Sequence, residues 1–405
     1  MGFIKESKKS VWKPDSVFSI MADYKVFTDE NGKDAATNAI IGSLKDEDEN
    51  LVALKTVYDN EEKIAPRIKA AYPAGLKGNP EFIEAMKNWI IDGNYKYYVD
   101  GVATCGGSGA VFVGLDMCLE YGESVILPEV AWGSYKMMAN EFGFNIISYN
   151  IYDVDDMLKK VEEVARKEGK VELVINSPCH NPCGLSYSLD EWNRIVNKLN
   201  EVSAYSDVIL LNDVAYIDYA FDPKKAREYI GTFNKLNEKV LVLIAASCSK
   251  SFSYYGHRLG ALLILNRDKG TVEEVEKGAE LKVRCTWSTC NNMAMINVTN
   301  VLNNHKDEYL AEKAQYIELL RKRADLFLKE AKENGIDVYP YNEGFFITLR
   351  FEDEELNARV HEALLKKHIY TVKTVKGIRI AICSMSLKSI KGLCAKIKEV
   401  IESVR

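Results

Sequence analysis

The chain predicts an α/β fold: a mostly parallel sheet sandwiched by helices, joined to a smaller α+β part. Three observations carry that prediction. From about residue 100 to 265, short apolar runs alternate with helical segments, the pattern of a parallel sheet covered on both faces. With 405 residues and 47% hydrophobic content, the chain can bury a large core and divides most simply into two domains. Three of the apolar runs end in polar residues, at the edge where open α/β sheets bind ligands.

Residues 1–45 show no clear periodicity. The acidic stretch Lys45–Asn50 is read as opening a helix, because Leu51, Leu54 and Val57 come next at helical spacing. Ser124–Leu127, Asn145–Ile151, Glu172–Ile175, Asp207–Leu211, Val240–Ala246 and Ala261–Leu265 read as strands. Asp155–Glu168 and Leu189–Asn200 read as helices between them. Residues 306–334 form a long amphipathic helix through Tyr309, Leu310, Ala314, Ile317, Leu320 and Phe327. Strands near 345–350 and 377–382 and a final helix from Leu387 complete the chain. The expected division is a large domain over 50–310 and a small domain made from 1–49 and 311–405.

Composition excludes several function classes. The net charge is −6 and the pI about 5.7, without the basic surplus of a nucleic-acid binder. No apolar run approaches the ~20 residues that span a bilayer. The first residues, MGFIKESKKSVWKPD, lack an apolar signal core, and Glu6 breaks the myristoylation pattern. Nine scattered cysteines fit free thiols in a reducing cytosol, so a cytoplasmic protein is expected.

The strand ends concentrate the chemistry. Glu172–Ile175 is followed by Asn176, then His180, Asn181, Pro182 and Gly184. Asp207–Leu211 is followed by Asn212, Asp213 and Tyr216. Val240–Ala246 is followed by Ser247 and Lys250, then aromatics, Gly256 and Arg258. A lysine or carboxylate placed directly after a buried strand is costly unless paired, neutral or covalently used. Amide, carboxylate with phenol, and lysine at one sheet edge form a site constellation. Taken singly, each has a plainer reading: a loop acid, a packed tyrosine, a surface lysine. Cys179, His180 and Cys183 lie close together but lack a second ligand pair at matching spacing, so no metal site is expected. Cys105-Gly-Gly-Ser-Gly-Ala110 can cradle a phosphate through its backbone N–H groups and the helix after it. A dinucleotide fingerprint needs a further glycine at position 112, which is Phe.

In this order the motifs resemble the class I aminotransferases of pyridoxal phosphate (PLP) fold type I, most closely the aspartate and aromatic amino acid branch. The likeness runs along nearly the whole chain. It implies PLP as cofactor, held as a Schiff base on Lys250, which then shuttles a proton. Ser247-x-x-Lys250 with Arg258 resembles the cofactor-lysine motif, Ser247 and Arg258 holding the phosphate with Gly107 and Ser108. Trp132, in Val130–Tyr135, is similar to the aromatic residue that stacks on the cofactor ring beside the substrate. Asn181 would donate to the ring's phenolic oxygen, although Cys183 stands where the family has threonine. Asp213-x-x-Tyr216 resembles the pair in which the carboxylate keeps the ring nitrogen protonated and the phenol bonds the phenolic oxygen. Arg379 looks like the α-carboxylate clamp, Arg284 like the residue that takes a distal carboxylate across a dimer, and Gly42 like a glycine beside the substrate. Tyr72 resembles the tyrosine that reaches the neighbouring subunit's phosphate.

The resemblance implies a homodimer with shared active sites and a ping-pong transfer of nitrogen from an amino acid to a 2-oxo acid such as 2-oxoglutarate. Aspartate is the preferred donor and aromatic amino acids come next. A PLP-dependent lyase, or another α-carbon enzyme on the same scaffold, would use the same lysine, aspartate and tyrosine. A PLP-binding sensor would need a basic helix-turn-helix segment, and none precedes Tyr72.

Overall fold

The structure, a computed structural model, describes Phe3, residues 16–91, Gly93 and residues 95–405. The reading of residues 1–15 as lacking a signal core lies outside the described residues.

Strands were expected where apolar runs are nearly continuous, and six of the seven strands of the large sheet are such runs; Tyr98–Cys105 was not read as one. In chain order the strands are β1 (Thr37–Asn38), β2 (Tyr98–Cys105), β3 (Ser124–Pro128), β4 (Asn145–Tyr149), β5 (Lys170–Asn176), β6 (Asp207–Asp213), β7 (Val240–Ser247), β8 (Leu259–Asn266), β9 (Phe346–Arg350), β10 (Ile369–Tyr370), β11 (Val372–Thr374) and β12 (Gly377–Ala381). Seven of them form one sheet in the order β2-β8-β7-β6-β5-β3-β4. Its pairings are parallel except at β8, which runs antiparallel to both β2 and β7. Residues along β3, β5, β6, β7 and β8 are almost all buried, as strands covered on both faces require.

The covering helices arise from sequence signals. Val154–Glu168 buries Val154, Met157, Leu158, Val161, Val164 and Ala165, one stripe at helical spacing. It starts at Asp153, whose side chain accepts from the Asp156 N–H, and stops at Gly169 with φ of 69°. Leu189–Val202 opens on a capping box between Ser188 and Glu191.

A second sheet, β11-β12-β9, is antiparallel. It packs with helices Lys306–Glu333, Glu354–Lys366 and Leu393–Val404 around Phe327, Ile347, Leu364, Ile380 and Ile397. The N-terminal segment joins this part: β1 pairs with β10, and Ala39 packs into the same cluster.

Three expectations are corrected. Lys45–Asn50 is a turn, and the helix begins at Lys55. The Asp46 carboxylate accepts from the N–H groups of Asp48 and Asn50, and Glu49 has φ of 58°, so side-chain bonding closes a turn instead of a helix. The final helix is broken at Gly392, φ 78°, into Leu387–Ile390 and Leu393–Val404. Residues 16–31 form a helix where no periodicity was read, because it buries little beyond Ile20.

Glu172 is the anomaly of the large sheet. It sits in β5 opposite Ile209, fully buried, and neither carboxylate oxygen has a hydrogen-bonding partner among the described residues. Burial pushes its carboxyl well above the usual range. A pKa raised on folding contributes stability that is complete at acid pH and lost as pH rises toward the folded value. Glu172→Leu is therefore expected to stabilise the protein by roughly 1–3 kcal/mol near neutrality. In urea unfolding the gap to wild type should widen as pH rises; a gap that shrinks with pH would contradict the assignment.

Candidate active site

The sheet brings the strand ends together. Asn176 pairs in register with Asp213, which pairs with Ala245, two residues before Ser247. Because β8 is antiparallel to both neighbours, Gly260 faces Ser247 on one side and Thr104 on the other. The loop after β2 therefore arrives at the same edge. A Cβ on Gly260 would lie 2.6 Å from the Ala246 carbonyl oxygen and 2.6 Å from Gly106, so only glycine lets the three segments converge.

A cavity of about 170 Å³ opens at this edge. Of the residues singled out from the sequence, Gly107, Ser108, Trp132, Asn181, Asp213, Tyr216, Ser247, Lys250 and Arg258 line it. Gly42 and Arg379 sit against it. The Gly42 carbonyl oxygen accepts from Lys250 Nζ at 2.5 Å, and Arg379 Nη1 donates to Asn181 Oδ1 at 3.2 Å. Tyr72 and Arg284 do not line it within one chain. Tyr72 is 88% exposed, and Arg284, also exposed, donates to Ser288 Oγ.

Lys250 lies in the short helix Cys248–Ser251, its Nζ 4.8 Å from the Tyr255 ring centroid and 5.6 Å from that of Tyr216. Burial lowers its pKa to about 8; Arg379 and Arg258 push the same way, and Cys383 opposes them. Asp213 is held on three sides. Its Oδ2 accepts from the Tyr135 hydroxyl at 2.5 Å, its Oδ1 from the Ala215 N–H at 2.9 Å, and its carbonyl oxygen from Asn176 Nδ2 at 3.0 Å. Burial raises the Asp213 carboxyl, and the Tyr135 and Ala215 donors pull it back down. Asn181 is fixed by its own N–H, which donates to Asn176 Oδ1 at 2.8 Å.

The opposite wall is made for an anion. Helix Gly106–Cys118 starts at the cavity, so its N-terminal N–H groups and positive dipole end point there. Gly107 lies so near Ser247 that a Cβ would sit 2.8 Å from the serine Cβ. Arg258 Nη1 donates to Ser249 Oγ at 3.1 Å, which puts a guanidinium beside a serine hydroxyl at this wall. Tyr216 packs edge-on against Phe345 and Phe346, and a Cβ on Gly42 would collide with the Phe346 ring at 2.5 Å. These residues fit PLP: an anion cradle, an amine of lowered pKa, a fixed buried carboxylate for a ring nitrogen, and aromatic walls.

Several lining residues were missed from sequence. Tyr135 is the most consequential; it lies three residues past Trp132, edge-on to that ring at 5.4 Å, and only the tertiary contact with Asp213 reveals its role. Asn176 stood at the strand end but was not assigned to the site. Ser249 and Tyr255 flank the lysine, where runs of serine and aromatics carry no positional signal. Among the described residues, no group of three or more His, Cys, Asp or Glu side chains could hold a metal ion.

Comparison with known proteins agrees with this geometry. Residues 41–397 match the family model "Aminotransferase class I and II". An aromatic-amino-acid aminotransferase of Paracoccus denitrificans is 29% identical over 283 residues, 68% of this chain and 69% of that protein. An aspartate aminotransferase of Escherichia coli K12 is 23% identical over 90% of this chain and 93% of its own length. Among solved structures, an aminotransferase from Anaerococcus prevotii superposes with a TM-score of 0.94 at 26% identity, each chain fully covered. An aromatic-amino-acid aminotransferase from Burkholderia pseudomallei, covalently bound to pyridoxal phosphate, shares the fold with a TM-score of 0.78 at 21% identity, over 98% of this chain and all of that one.

Proposed function

The chain belongs to the class I and II aminotransferases and is a PLP-dependent enzyme of fold type I; from that premise we propose that it moves nitrogen from an amino acid to a 2-oxo acid by a ping-pong path through Lys250. The observation that carries this reading is the lysine itself: an amine of lowered pKa, at a sheet edge, facing a fixed buried carboxylate and an anion cradle. PLP, when bound, supplies a reactive carbonyl and an electron-accepting ring that stabilises negative charge at the substrate Cα.

The chain's own residues do the rest. Gly107, Ser108, Ser247 and Arg258 hold the phosphate, with Tyr72 reaching it from the partner of a homodimer. Trp132 covers one face of the ring. Asn181 and Tyr216 would hydrogen-bond its phenolic oxygen, and Asp213 would keep its nitrogen protonated. Lys250 Nζ would hold the cofactor covalently and, once displaced by the substrate amine, would carry the proton from the substrate Cα to the cofactor's C4′. Arg379 binds the α-carboxylate with its planar fork, beside Gly42. Arg284 of the second subunit takes a distal carboxylate, which makes aspartate the preferred donor, aromatic amino acids next and 2-oxoglutarate the expected acceptor. The large domain over 50–310 and the small domain from 1–49 and 311–405 meet at this edge, where Gly42 and Arg379 bond Lys250 and Asn181. The free thiols support a cytoplasmic setting. Every relative named above is an aminotransferase, and nothing in the site favours a lyase.

The test is the visible spectrum of the purified protein with PLP, to which aspartate, phenylalanine and alanine are added in turn. Loss of the band with one donor, and its return with 2-oxoglutarate, supports the reading; pyruvate or ammonia released without any acceptor would overturn it. Arg379→Ala is expected to raise KM for the amino acid roughly 10- to 100-fold, the worth of a charge-assisted hydrogen bond, with a smaller effect on kcat. Steady-state kinetics with both half-reaction substrates check it, and an unchanged KM would remove Arg379 from the carboxylate site.

A further inference from the structure

A second cavity, of about 360 Å³, lies on the other side of the Tyr216 segment, between helix Pro80–Ile90, the 218–227 loop and the start of helix Lys306–Glu333. Its inner wall holds three charged side chains that are nine-tenths or more buried: Asp218, Arg227 and Lys313. One carboxylate serves two cations there. Asp218 accepts from Arg227 Nη2 and from Trp89 Nε1 at 3.0 Å, and stands 3.3 Å from Lys313 Nζ. Arg227 also donates from Nε and Nη1 to the carbonyl oxygens of Trp89 and Pro223. The Lys313 ammonium donates to the Tyr309 hydroxyl, which itself donates to the Ser251 carbonyl oxygen. Lys313 thus bonds Asp218 and Tyr309, and the rings of Trp89, Tyr219, Phe252 and Tyr309 surround its amine.

Cations outnumber acids in the lining of the cavity. Across the whole lining, Lys224, Arg227, Lys306 and Lys313 stand against Asp218 and Asp222. Apart from Asn88 the remaining wall is largely apolar: Trp89, with the Lys306 and Lys313 amines over its ring at 5.7 and 5.5 Å, and Leu310 and Ile317 along one helix face. An excess of cations around a cavity favours a counter-ion, and apolar wall residues favour one with a hydrocarbon body. A hydrated ion such as chloride would leave those walls wet.

We propose that this cavity is a binding site for a small amphipathic carboxylate, its apolar body against Trp89, Leu310 and Ile317 and its carboxylate at Lys313 and Lys306. The site is separate from the cavity at the sheet edge, and it adjoins the turn of Lys250 through Tyr309 and Ser251.

Titration calorimetry of the PLP-loaded protein with octanoate, and with octylamine as the charge-reversed control, tests the proposal. Octanoate is expected to bind one per chain and octylamine not at all. Lys313→Met, and the rim variants Lys306→Glu and Leu310→Asp at exposed positions, should each weaken octanoate by about tenfold or more, the scale of one charge-assisted contact. The rim variants keep the test open if Lys313→Met does not fold. Arg379→Ala should leave octanoate binding intact. Binding that is lost in Arg379→Ala but kept in Leu310→Asp belongs to the sheet-edge cavity and overturns the proposal. So does equal binding of octylamine, or no binding of octanoate.

Discussion

Lys250→Ala is expected to abolish the visible band of the PLP-loaded protein and to lower turnover by on the order of 10²–10⁴-fold or more, since general acid–base work alone is worth that range. Lys250 Nζ rests on the Gly42 carbonyl oxygen, beside the rings of Tyr216 and Tyr255, with no carboxylate bonded to it among the described residues. Burial brings its pKa to about 8, so an appreciable fraction of the amine is uncharged near neutral pH and can act as nucleophile and base. Capture of PLP by the cofactor-free protein should therefore speed up as pH rises through about 8, as the amine loses its proton. Lys250→Arg retains the positive charge but cannot lose it at these pH values, so it should be as inactive as the alanine variant. Spectra and single-turnover rates of the three proteins decide the matter. A Lys250→Ala protein that keeps the band and wild-type turnover would place the chemistry elsewhere.

Asp213→Asn should cost nearly as much. The carboxylate is buried and held by Tyr135, Ala215 and, through its backbone, Asn176. The amide oxygen can keep the Ala215 hydrogen bond while the amide nitrogen donates to the Tyr135 hydroxyl, reversing that bond, so the fold and cavity shape should survive. The loss is the negative charge facing the ring nitrogen. Breaking a buried charge pair by neutralising one partner costs about 3–5 kcal/mol, which is on the order of 10²–10⁴-fold in turnover. Cofactor should still bind, through the phosphate cradle, and circular dichroism should be unchanged. Normal turnover in a folded, PLP-loaded Asp213→Asn protein would show that the carboxylate is structural. Tyr135→Phe offers a graded comparison: it removes one donor and leaves the charge, so a smaller loss is expected.

Much of the site was legible because its residues stand at strand ends, where local sequence and global position coincide. A run such as Val240–Ala246 reads as a strand, and the residues after it emerge at the sheet edge, so Lys250, Asp213 and Asn181 could be placed at one edge from order alone, while their roles were implied by the family resemblance. Lys45–Asn50 shows the converse. Its spacing suited a helix, and one aspartate side chain bonding to the N–H groups of Asp48 and Asn50 closed a turn instead. Tyr72 and Arg284 carry motif signals, yet both face solvent in a single chain, and their proposed roles need a second subunit.

The α/β class, the order in which the strands deliver their chemistry, and the lysine were all readable along the chain. They rest on hydrophobic period, length and the cost of burying charge, which act over a few residues. The folded molecule alone reveals that Tyr135 fixes Asp213, that Gly260 lets three segments meet, and that Asp218 is shared by Arg227 and Lys313. Tyr135 and Asp213 stand 78 positions apart, and the other contacts likewise join different elements. Their energies depend on distance and dielectric in the folded state, and no local pattern of residues encodes them.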